Sequence, residues 1–251
     1  LRTLKDKLWR FLEDGVHKET AGLPVEWESR LKEAVPFEQF WSLSLLSCAS
    51  AQWRGASPEI GIPSAAAVLL TAGATAAHAL PVTGVRLPCM GDYHGGGPPE
   101  AGRILAGDAL LPLAVKVLGE HEASVSLHLT EILLKSAAGI LEAMSFGRHG
   151  QMTGSWNGRL ASLAARMGVI ASGSGSAPGE TAALAGMALG KASAVLNDSP
   201  SRDAMVEAEM MLRDALEPLG PGAPLFHEIA EYTAARGNAD SSDLFARLEP
   251  S

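Results

Sequence analysis

The run Ile104-Leu105-Ala106-Gly107-Asp108-Ala109-Leu110-Leu111-Pro112-Leu113-Ala114 sits inside a helical pattern that extends from Glu100 to Leu118. Its neighbours read the same way. Toward the C-terminus, Val125, Leu129, Ile132, Leu133, Ile140, Leu141 and Met144 fall three, four or seven apart over 121–146, the spacing of one helix face. Helical patterns follow at about 160–171, 180–196, 202–216, 223–236 and 240–248. Toward the N-terminus, Leu4, Trp9, Phe11 and Leu12 share one side of 4–14. Phe40, Leu43, Leu46 and Ser47 share one side of 36–53, which opens on Pro36, a favoured first-turn residue. Pro63 starts a further helix to about Leu80. Glycine and proline mark the breaks: Gly84 to Pro99, Gly147 to Gly158, the Gly/Ser run at 172–176, and Asn197-Asp198-Ser199-Pro200. Asp198 or Ser199 is placed to cap the helix that follows. No alternating strand and no fixed-period repeat occurs in the sequence. The expectation is one all-α domain over 1–251, with about ten or eleven helices.

Composition agrees. Of 251 residues, 47% are apolar but only 5% aromatic, and the apolar share is mostly Ala, Leu and Val, which suits close-packed helices better than a β-sandwich. A chain of this length can bury a substantial core. Acidic residues outnumber basic ones by 28 to 20, and the net charge of −8 argues against general nucleic-acid affinity, which needs a Lys/Arg surplus. Cys48 and Cys89 cannot supply a disulfide framework or a thiolate metal cage, so a reducing cytoplasm is the expected location. Pro63 to Leu80 has the length of a membrane span, but only Val68, Leu69, Leu70 and Leu80 are strongly apolar among its Ala, Gly, Thr and Ser. It reads as a helix buried among other helices, and no transmembrane segment is expected.

Most candidate chemistry in the sequence has a plainer reading. His227, Glu228 and Glu231 give H-E-x-x-E on a helix, which lacks the second histidine of a zinc-protease motif and reads as a polar helix face. His121 and His128, seven apart on the 121–146 helix, are too far apart to share a metal. Gly173-Ser174-Gly175-Ser176 has neither the strand nor the spacing of a nucleophile elbow and reads as a helix connection. Gly95 to Gly97 resemble an anion nest ahead of a helix, but Pro98 and Pro99 remove donors and Glu100 repels anions.

The run from Ile104 to Ala114 resembles the "LAGDALL.LA" helix of the trans-isoprenyl diphosphate synthase (polyprenyl synthetase) family. Further segments follow in the family's order. His149-Gly150-Gln151 resembles its "EGQ" element, and Ala164-Ala165-Arg166-Met167-Gly168-Val169-Ile170 its "AARLGAI" segment. Ala215-Leu216 through Ile229-Ala230-Glu231-Tyr232 to Arg236 is similar to its closing helices. The resemblance is strongest over 36–237. It implies an isoprenoid-synthase-like helical bundle around a deep central cavity, as a homodimer or a heterodimer. It also implies magnesium held by a pair of facing aspartate-rich DDxxD motifs, which neutralise a diphosphate leaving group.

Those motifs have decayed here. Counted back from Gly107-Asp108, the first falls on His78-Ala79-Leu80-Pro81-Val82-Thr83, where no aspartate remains and where Pro81 is expected to disturb the helix. The second falls on 193–201, where Asn197, Asp198 and Ser201 occupy the metal-binding positions and only Asp198 is acidic. The basic groups that the resemblance places around Val35 to Leu46 and Pro88-Cys89-Met90 are missing, and the family's Lys-Thr pair aligns near Trp156-Asn157. Asp108 itself matches a helix-interior residue of the family and reads as structural. Without anionic ligands, bringing dications into an apolar pocket costs several kcal/mol per uncompensated charge, so no bound magnesium and no catalytic residue is expected. The leading reading is a non-catalytic or regulatory subunit that pairs with a catalytic prenyl diphosphate synthase. The alternatives are a stand-alone binder of a prenyl chain or lipid, and an active prenyltransferase with a sparse magnesium site drawn from Asp92, His94, Glu100, Asp198 and Asp203.

Overall fold

The computed structural model describes residues 1–22, 25–83, 100–146, 152–198 and 202–237. Eleven α-helices occur among them: α1 (Arg2–Thr20), α2 (Val25–Ala34), α3 (Phe37–Ser44), α4 (Leu46–Trp53), α5 (Ile62–Thr83), α6 (Glu100–Val117), α7 (Ala123–Phe146), α8 (Met152–Ala171), α9 (Ser176–Asp198), α10 (Arg202–Leu216) and α11 (Pro224–Gly237). No strand occurs among the described residues. The all-α expectation holds.

Helix α5 is the axis of the bundle. Ala65 through Leu70 are fully buried, as is Ala72, and α5 packs on α1, α3, α6, α7 and α8. Its sequence passes for a membrane span by length and hydropathy, yet 89% of that window is buried inside the protein, as expected of a core helix. Helix α8 lies on α4 and α9, and α9 carries α10 and α11. On α1, Leu4, Leu8, Leu12 and Val16 recur every fourth residue and are all buried, the stripe an outer helix needs to close on a core. Small residues let the inner helices approach closely. A Cβ added to Gly168 of α8 would lie 2.0 Å from the Ser47 carbonyl oxygen of α4, so only glycine fits there.

Four local expectations need correction. The pattern over 36–53 is not one helix but α3 and α4, broken at Leu45. There the Ser44 hydroxyl donates to the Trp41 carbonyl at 2.7 Å, and the Ser47 hydroxyl to the Ser44 and Gly61 carbonyls at 3.0 and 2.8 Å. Such side-chain bonds offer the backbone an alternative to the regular ladder. The expected linker from 147 to 158 is helical from Met152 onward, because Gly158 serves packing rather than a turn: a Cβ there would lie 2.7 Å from Met187 Sδ. Helix α5 continues through Pro81 to Thr83; a proline in a last turn forfeits a single ladder bond and does not stop a helix that packing already holds. His121 lies ahead of α7 rather than on it, at the end of the short turn Leu118–Glu120. The expected helix at 240–248 lies outside the described residues.

Candidate functional site

The resemblance places the chemistry where the C-terminal turns of α5 face α6 and α8. His78 is the member of the first decayed motif whose side chain is described, and its Nε2 lies 3.1 Å from Asp108 Oδ1 on α6. The neighbouring Gly107 explains the approach: a Cβ there would lie 2.8 Å from Ala77 Cβ and 3.2 Å from the Ala74 carbonyl oxygen. Gly107 therefore lets α6 touch α5, and Asp108, one residue on, reaches His78. Asp108 is more than half exposed, and an ion pair so open to water contributes at most about 1 kcal/mol. The side chains of Ala79, Leu80 and Thr83 lie outside the described residues, as do those of Asn197, Asp198 and Ser201.

The resemblance places the family's Lys-Thr pair near Trp156-Asn157. Trp156 on α8 is 2% exposed, and its indole Nε1 donates to Thr75 Oγ1 on α5 at 3.0 Å. Thr75 Oγ1 in turn donates to the Thr71 carbonyl at 2.9 Å. The indole ring lies 5.5 Å from the Phe40 ring of α3. A bulky apolar ring with its lone polar atom satisfied thus joins α3, α5 and α8 where the resemblance calls for a diphosphate-binding cation. Nothing in the sequence marks this pair, since its partners are 81 residues apart.

Other candidates are explained by their surroundings. His121 contacts Ser64 Oγ through Nε2 at 3.3 Å, and burial pushes it below the ordinary histidine pKa. His128 is exposed. Glu228 and Glu231 are exposed. Burial raises the Cys48 thiol to about 12, which leaves no reactive thiolate at neutral pH. Gly173 to Gly175 lie in the connection of α8 to α9, with Gly173 at φ +76°, and Ser176 opens α9. No group of three or more His, Cys, Asp or Glu residues able to hold a metal occurs among the described residues. Among the described residues of this region, His78 faces Asp108 and Trp156 donates to Thr75.

A different feature is an open apolar face on α7. Helix α7 also has the length and hydropathy of a span, yet only 28% of that window is buried. One face, with Leu129, Ile132, Leu133 and Ile140, is buried in the bundle. The other presents Leu127 at 73% and Leu134 at 43% exposure, seven residues apart and so on one side of the helix. Glu131, between them, and Lys135, just after Leu134, form an i,i+4 pair whose charges cancel.

These features belong to an all-α isoprenoid-synthase bundle, and the chain has the fold of the trans-isoprenyl diphosphate synthases. No protein-family model and no curated protein matches it by sequence. Among solved structures, it is similar to the geranyl diphosphate synthase small subunit of Antirrhinum majus, with TM-score 0.70 and 18% identity over 92% of this chain and 98% of that one. It is similar to a geranyltransferase from Legionella pneumophila, with TM-score 0.68 and 17% identity over 96% and 98% of the two chains. It is likewise similar to a deletion mutant of the heterotetrameric geranyl pyrophosphate synthase of mint, with TM-score 0.67 and 15% identity over 94% and 98%. At these identities the likeness establishes the fold.

Proposed function

We propose that this chain is a non-catalytic subunit of a prenyl diphosphate synthase, acting in isoprenoid biosynthesis in the cytoplasm by pairing with a catalytic chain of the same fold. The observation that carries the reading is Trp156, buried and hydrogen-bonded to Thr75 near where the resemblance places the family's Lys-Thr pair. The sequence supports it, since acidic ligands and their basic counterparts are missing together. A site that had changed its metal would keep anions. Two of the similar structures are, by name, a synthase small subunit and a heterotetrameric synthase. The open apolar face of α7 supports pairing, because covering Leu127 and Leu134 removes exposed hydrocarbon from water.

The test is co-expression with a catalytic prenyl diphosphate synthase from the same genome, followed by co-purification. Incorporation of labelled isopentenyl diphosphate is then assayed with magnesium, for each chain alone and for the mixture. The expected result is no turnover by this chain alone, co-elution with the catalytic chain, and an altered rate or product length in the mixture. Leu127→Glu combined with Leu134→Glu should abolish co-elution, since each places an unpaired carboxylate on the covered face. Magnesium-dependent turnover by this chain alone would sink the reading.

A further inference from the structure

We draw no further inference here: the strongest candidate, the exposed face of α10 where Val206 and Met210 lie among Asp203, Glu207 and Asp214, carries nothing because it is built on one helix and nothing in the structure shows what covers it.

Discussion

The Trp156–Thr75 contact can be weighed by a double-mutant cycle, because each partner can be changed with little change of shape. Thr75→Val keeps the branched side chain but removes the oxygen that accepts the indole N–H. With Trp156 only 2% exposed, that N–H has no route to water, and a stranded buried donor costs about 1–3 kcal/mol. The Thr71 and Ala72 carbonyls lose the hydroxyl as donor but stay inside a helix ladder, so they add little. Trp156→Phe removes the donor and part of the ring, and should cost less than the roughly 3–5 kcal/mol of truncation to alanine. In the double variant no donor is stranded, so its loss should fall short of the sum of the single losses by about 1–2 kcal/mol. Urea unfolding followed by helical circular dichroism measures all four corners of the cycle. Losses additive within about 0.5 kcal/mol would refute the bond, and with it the argument that Trp156 is fixed across α5 and α8.

Three further outcomes follow from the same packing and electrostatics. Gly168→Ala should cost about 3 kcal/mol or more, because its Cβ would sit 2.0 Å from the Ser47 carbonyl oxygen; the Tm should fall by roughly 6–12 °C, whereas Gly175→Ala, with nothing within 4 Å, should leave it unchanged. His121 is held below its ordinary value of 6.5 by burial, so below that pH the unfolded chain takes up the proton first and the folded state loses stability. Urea midpoints at pH 7.5 and 5.5 should show that loss, and it should shrink in His121→Gln; an undiminished loss would mean that other groups carry it. In a Cys89→Ser variant, Cys48, buried with its thiol raised to about 12, should not react with a disulfide reagent until the protein unfolds, and fast labelling of the folded protein would contradict its burial.

Much of the fold was legible because the interior is built from spacing. The stripe on α7 and the long buried α5 are read directly from where Leu, Val and Ala recur. The buried face of α1, by contrast, is Leu4, Leu8, Leu12 and Val16 and leaves Trp9, expected on it, 37% exposed. What escaped were features set by contact with distant residues. The break at Leu45 depends on Ser47 reaching Gly61. The helical 152–158 segment depends on Gly158 meeting Met187 of α9. A glycine read locally is a break, whereas a glycine between close helices is a fit, and the sequence does not say which. The candidate site divides in the same way. That 78–83 holds no aspartate and 193–201 only Asp198 is visible in the letters, but His78–Asp108 and Trp156–Thr75 join helices and needed the bundle to bring them together.

The residues that carry the family resemblance are themselves packing residues. Gly107 and Gly168 are each held to glycine by a neighbouring helix, Gly107 by Ala77 and the Ala74 carbonyl, Gly168 by the Ser47 carbonyl. Asp108 faces His78 across the Gly107 contact. Those demands come from the bundle and persist whatever the bundle does. Carboxylates of a DDxxD motif answer to a different demand, since they repel one another unless cations lie between them. Where the cations are not needed, an aspartate at the end of a buried helix such as α5 is only a cost, and alanine or leucine relieves it. On the proposed reading, the glycines of this chain answer to packing, which the bundle shows, and the missing aspartates to a site that holds no metal.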